Sequence, residues 1–207
     1  RKGKTREVLD KFSVIMALKA LDRCDVAVLV LDSALQVSDQ DAAVAGYAMD
    51  RGKACVILGN KWDLSGEKEI SFDEFEDHVR YKLKFLEFAP VVTVSAKTGL
   101  RIDKILPQVE KVYEEYSRRI PTATLNECFE RAIQKNPMSS YRGKFMKLFY
   151  ATQVKKQPPT FKCFLNFPEG IHFSYRRYLI NSLRKTFGFS GTPVRLILSG
   201  KRKGIDF

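Results

Sequence analysis

At 207 residues the chain has room for one large domain or two small ones, and 44% hydrophobic with 12% aromatic content is enough for packed cores, which excludes a disordered chain. The longest aliphatic run is six residues, Val26-Ala27-Val28-Leu29-Val30-Leu31, far short of the roughly 20 needed to cross a bilayer, so no membrane partner is expected. The net charge of +12 is unevenly held: residues 1–117 carry 18 Lys+Arg against 20 Asp+Glu, and residues 118–207 carry 18 against 4. That break predicts two modules, 1–117 and 118–207, the second suited to a polyanionic partner. Cys24, Cys55, Cys128 and Cys163 are widely spaced, and His78 and His172 do not complete a zinc site with them. Reduced, buried thiols and no metal site are expected. Arg1-Lys2-Gly3-Lys4 opens the sequence without Met or an apolar leader, so the expectation is a segment of a longer, cytoplasmic protein.

In chain order, Val8, Phe12, Ile15, Met16 and Leu18 fit one helical face. Residues 26–31, 54–58 and 90–94 are apolar runs that read as strands buried on both faces. Between them, residues 39–50 and 71–83 read as helices, the second opened by Ser71 as N-cap with Glu74 three residues on, a capping box. Residues 100–116 close this half with another helix. Strands alternating with helices predict an α/β fold, a parallel sheet with flanking helices, whose ligands sit beyond the carboxyl ends of the strands.

Two of those ends carry a pattern. Gly59-Asn60-Lys61-Trp62-Asp63-Leu64 succeeds the 54–58 strand, and Ser95-Ala96-Lys97 succeeds the next. These loops resemble the Asn-Lys-x-Asp and Ser-Ala-Lys base loops of translation-factor-type GTPases. The residue types suit the chemistry that the resemblance implies. An Asp63 carboxylate can accept from guanine N1–H and the exocyclic amine together, a donor pair that adenine lacks. The Ala96 N–H would donate to guanine O6, Asn60 would tie the loop to neighbouring backbone, Ser95 belongs to the same loop, and the stems of Lys61 and Lys97 would lie against the base. Asp32 also ends a strand and reads as a loop- or helix-capping carboxylate.

A phosphate-binding Gly-x-x-x-x-Gly-Lys-Ser/Thr loop does not occur in the sequence. Gly3-Lys4-Thr5 mimics its end, but too few strands separate it from Asn60, so it reads as a decoy. The stretch from Arg1 through Phe12-Ser13-Val14 instead resembles the segment just after Asp-Thr-Ala-Gly in one GTPase family, immediately downstream of the second switch. No catalytic residue is therefore expected here, and the segment alone is expected to be inactive.

In the second half, residues 118–122 read as a linker, 124–133 as a helix, 144–152 and 160–166 as strands joined by a proline-closed loop at 153–159, 174–187 as a helix and 193–198 as a last strand. The expected product is a small α+β layer. Tyr150-Ala151-Thr152-Gln153, Ser174-Tyr175-Arg176-Arg177-Tyr178-Leu179 and Phe187-Gly188-Phe189-Ser190-Gly191-Thr192-Pro193 closely resemble the carboxyl-terminal KH-like domain of the Der (EngA) family of bacterial GTPases. The resemblance spans the chain, as the back part of a second G domain, without P-loop or switches, and then the KH-like domain.

It implies GTP or GDP as ligand, Mg2+ held by groups outside this sequence, GTP hydrolysis by the parent, a role in large ribosomal subunit biogenesis, and rRNA or the preceding G domains as partners. The alternative is a non-catalytic ribosome-binding module with a remnant base site. KH modules clamp RNA with a Gly-x-x-Gly loop between helices. Gly188-Phe189-Ser190-Gly191 lies between a helix and a strand and reads as a helix-ending turn instead. That leaves the basic surface, with Lys201-Arg202-Lys203, for phosphate contact.

Overall fold

In the computed structural model, residues 15–66 and 70–200 are described. Val8, Phe12, Gly3-Lys4-Thr5 and Lys201-Arg202-Lys203 lie outside them; residues 15–23 are helical (α1). The chain forms two units, the first running to Glu115 and including Ser190–Pro193, the second comprising Tyr116–Phe189 and the segment from Val194 onward.

The first unit is built on β1 (Val26–Asp32), β2 (Ala54–Asn60) and β3 (Val91–Thr93), all parallel and in that order. Every residue of β2 but Asn60 is buried, because a central parallel strand is covered on both faces. Each buried Val, Leu or Ile there contributes about 1.5–3 kcal/mol. Among the described residues β1 lies at an edge of this sheet, with Val28 and Val30 exposed.

Helix α2 (Asp39–Asp50) begins at Ser38, whose Oγ accepts from the Asp41 N–H while the Asp41 carboxylate accepts from the Ser38 N–H. α3 (Phe72–Lys82) has the expected box: Ser71 Oγ accepts from the Glu74 N–H, and Glu74 accepts from the Ser71 N–H at 2.9 Å. Phe75 and Val79 on its inner face meet Leu83, Leu86 and Ile57 in the core. The expected helix over 100–116 is a 3-10 turn, Ile102–Lys104, continued by α4 (Ile105–Ser117). Within this unit the Gly191 carbonyl accepts from the Cys55 N–H and the Gly191 N–H donates to the Phe88 carbonyl. Gly191 has a φ of +68°, and a Cβ there would fall 2.5 Å from Val112.

The second unit holds α5 (Thr122–Lys135), β4 (Leu148–Lys155), β5 (Thr160–Leu165), α6 (Phe173–Phe187) and β6 (Arg195–Gly200). The sheet order is β4-β5-β6, with β4 and β5 antiparallel and β5 and β6 parallel. Leu125, Phe129, Leu179 and Leu183 of the helices bury against Ala151, Phe161, Cys163 and Leu196 of the sheet.

The strand expected at 144–152 is displaced. Arg142 and Gly143 take positive φ in a turn closed by a bridge between Tyr141 and Lys144, and Phe145 is 89% exposed. β4 therefore starts later and continues through Gln153, whose amide accepts from the Ile120 N–H and donates to the Arg118 carbonyl. The turn at Gly188 is as expected: Gly188 has φ 87° and its N–H donates to the Arg184 carbonyl. All four cysteines are free thiols; burial pushes Cys55 and Cys163 up to about 12.

Candidate functional site

Register brings the strand ends together. Asp32 stands opposite Asn60 and Gly59 opposite Thr93, so the loops leaving β2 and β3 emerge side by side. Two backbone bonds join them: the Val94 N–H donates to the Gly59 carbonyl and the Trp62 N–H to the Val94 carbonyl. Lys61 turns the chain with a φ of 63°, opening a 3-10 turn over Trp62–Leu64. Trp62 then packs edge-on against Phe75, ring centres 5.8 Å apart, which anchors the loop to α3. Gly59 permits this packing, since a Cβ there would lie 2.6 Å from the Phe75 ring.

Two side-chain bonds cross between the loops. Ser95 Oγ donates to Asp63 Oδ1 at 2.6 Å, and the Ala96 N–H donates to Asn60 Oδ1 at 3.0 Å. Ser95 is fully buried, and its Oγ also accepts from the Thr98 N–H. Its hydroxyl proton is thereby directed at Asp63. A backbone donor facing the Asn60 oxygen leaves the Asn60 Nδ2 pointing elsewhere. Neither Asp63 Oδ2 nor Asn60 Nδ2 has a partner among the described residues. The arrangement presents an oriented carboxylate acceptor and an oriented amide donor at one mouth of the sheet.

The other expected residues take these places. Lys61 donates from Nζ to Asp32 Oδ2 at 2.6 Å, while Asp32 Oδ1 accepts from the Ala34 N–H. Asp32 thus caps its loop, as expected, and also holds the Lys61 ammonium. Lys97 is exposed in the turn after Ala96. The Ala96 N–H, expected to donate to a ligand oxygen, is engaged by Asn60, which closes the loop on the strand end. Arg101, which no sequence pattern singled out, donates to Thr93 Oγ1 and ties the far side of the second loop to β3; its signal was a lone cation after Gly99-Leu100.

A parallel sheet with these two loops at its carboxyl edge is the arrangement that the resemblance to the GTPase class implies. Residues 11–115, just over half of the chain, match the elongation factor Tu GTP binding domain, and the chain belongs to that GTP-binding family. Residues 119–198 match the KH-domain-like carboxyl-terminal domain of EngA bacterial GTPase enzymes.

Within the family, the particular likeness is to GTPase Der. The chain is 47% identical over its whole length to that of Desulforapulum autotrophicum, covering 42% of it. It is 45% identical to that of Moorella thermoacetica over 98% of this chain and 46% of the relative, and 43% identical to that of Geotalea daltonii over 97% and 46%. The chain therefore spans less than half the length of these curated relatives. Among solved structures, the crystal structure of a probable GTP-binding protein engB is similar at a TM-score of 0.45 and 18% identity, over 54% of this chain and 69% of that one.

Proposed function

We propose that the loops after β2 and β3 are the base-recognition half of a guanine-nucleotide site, in a cytoplasmic protein that hydrolyses GTP and acts in large ribosomal subunit assembly. The observation that carries this reading is the pair of crossing bonds, Ser95 to Asp63 and Ala96 to Asn60. They hold Asp63 Oδ2 and Asn60 Nδ2 in fixed directions before any ligand arrives, which limits the ordering penalty on binding. The Asp63 carboxylate accepts from guanine N1–H and the 2-amino group, and the Asn60 amide donates to a ring nitrogen. Adenine offers no such donor pair, so the carboxylate selects the base. The Ala96 N–H reaches guanine O6 by sharing its hydrogen with Asn60 Oδ1, and the stems of Lys61 and Lys97 flank the ring. GTP phosphates and Mg2+ are assigned to groups of the intact protein outside this sequence. The 207-residue chain alone accordingly turns over no GTP in single-turnover assays.

The second unit supplies the contact to rRNA, or to a preceding G domain, through its excess of cations. The same excess favours a second reading, a ribosome-binding module that retains only a remnant base site. GTP turnover by the intact protein separates the two. The base assignment is tested on this chain by titrating guanosine and adenosine at millimolar concentration and following amide shifts. Guanosine is expected to move Asp63, Ala96 and the Trp62 indole, and adenosine to leave them. Equal shifts with both nucleosides, or none with either, refute the assignment.

A further inference from the structure

The sheet of the second unit has two unlike faces. Phe161, Cys163 and Leu165 of β5 are buried against the helices, so Lys162 and Phe164 between them point to the other face. Register carries that face across the sheet: Tyr150 stands opposite Phe164, and Lys162 lies between Thr152 and Ile197. Among the described residues of this unit, both long helices pack on the opposite face.

This outer face is aromatic and cationic. The Tyr150 and Phe164 rings stack at 4.4 Å between centres, 16° from parallel, and the Lys162 ammonium sits 5.1 Å over the Phe164 ring. Tyr150 is 40% exposed and Ile197 45%. One row further along the register stand Lys155, Thr160 and Arg195. The sequences of β4, β5 and β6 contain Lys155, Lys162 and Arg195 but no Asp or Glu. A water-facing strand surface that carries rings and only cations is unlike an ordinary solvated face, which mixes both charges.

We infer that the outer face of β4-β5-β6, centred on Tyr150 and Phe164, is a stacking platform for unpaired bases of single-stranded RNA. The inference rests on the reading of the second unit as an RNA-contacting module and specifies how it engages. Phe164 stacks on Tyr150 and carries the Lys162 ammonium, and the partly exposed Tyr150 ring receives a base. The ammonium groups of Lys155 and Lys162 beside it meet the backbone phosphates. Rings beside cations suit nucleic acid, since every base has a π face and every linkage a negative charge. An acidic, apolar protein surface would meet the cations but has less use for a pre-stacked ring pair. Stacking tolerates sequence, so little base preference is expected.

The test uses the full 207-residue chain with a fluorescein-labelled, unstructured oligouridylate and, separately, a hairpin duplex RNA. Tyr150→Leu is expected to weaken single-strand binding by roughly tenfold, the scale of one lost base–aromatic stack, with duplex binding unchanged. Tyr150→Phe keeps the ring and should bind as the unsubstituted chain does; matched thermal melting of both variants excludes loss of fold. Ultraviolet cross-linking should place the oligouridylate on peptides containing Tyr150 or Phe164. Unchanged single-strand affinity of Tyr150→Leu, with duplex binding intact, overturns the platform and leaves the phosphate reading standing. Failure to bind either RNA overturns both. A third result also overturns the platform: unaltered RNA affinity of Tyr150→Leu, together with slower hydrogen exchange in β4 of the intact protein than in this chain, would make the face a protein interface.

Discussion

Replacing Asp63 by Asn tests the proposed base site where its geometry is most constrained. Ser95 Oγ accepts from the Thr98 N–H, so its proton is directed at Asp63 Oδ1. In Asp63→Asn the amide oxygen takes that position, since only the oxygen can accept the Ser95 proton. The amide nitrogen is left where Asp63 Oδ2 now stands, and there it opposes the donors of guanine. A charge-assisted bond contributes about 1.5–3 kcal/mol, so even one lost bond weakens guanine nucleotides by roughly ten- to a hundredfold at about 1.4 kcal/mol per decade. Xanthine carries a carbonyl in place of the amine, so the new donor meets an acceptor and xanthine nucleotides should gain. The assay is competition between GDP and XDP for a fluorescent nucleotide, in the intact protein with any further G domain disabled. Unchanged GDP preference would falsify the assignment of Asp63 to the base. Loss of both nucleotides with a lowered melting temperature would show instead that Asp63 acts by holding the loop through Ser95.

Gly59→Ala should destabilise the first unit by about 1–3 kcal/mol, the usual penalty for overpacking, because its Cβ would sit 2.6 Å from a buried Phe75 ring; an unchanged urea midpoint would contradict the packing argument. Glu74 is held below the ordinary Glu range by the hydrogen bond from the Ser71 N–H and then by the Ser71 hydroxyl. Its contribution is thus present above that range and lost as pH falls through the lowered value; Ser71→Ala keeps the N–H and removes the hydroxyl, so the part of its deficit that comes from the hydroxyl bond to Glu74 should fade in thermal melts run into the acid range, and a deficit that grows on acidification would refute the linkage. For RNA binding by the basic unit, log affinity should fall with log salt with a slope of about −3 to −5, a few phosphates at roughly −0.9 each on duplex. Replacing Lys201, Arg202 and Lys203 with Ala should flatten that slope, and a salt-independent affinity would point to an acidic G-domain surface as the partner.

Much of the first unit was readable locally. The run Ala54-Cys55-Val56-Ile57-Leu58 reads as a strand buried on both sides, and Ser71 with Glu74 marks a helix start whatever surrounds it, because an N-cap bond spans three residues. Asn60, Asp63 and Ser95 were visible as residue types at strand ends. Their mutual geometry was not visible, since the bonds from Ser95 to Asp63 and from Ala96 to Asn60 close over 32 and 36 residues. Those distances collapse only when parallel register sets Gly59 beside Thr93.

The same holds for the pairing of Lys61 with Asp32, and for the need for glycine at position 59, which exists because the Phe75 ring, carried by the next helix, leans over it. In the second unit, β4 runs several residues later than the sequence predicts. Aromatic content near 145 favours a strand in isolation, but pairing with β5 begins where backbone partners exist, at Leu148 opposite Leu165. Ser190–Pro193 makes the point most directly: it comes after α6 in sequence, yet Cys55 and Phe88 supply its backbone partners. Composition and local hydrogen bonding determine which segments become helices and strands. Which polar groups face each other at the strand ends, and which strand face stays open to solvent, is decided by register and by long-range packing, because both join residues that no local pattern connects.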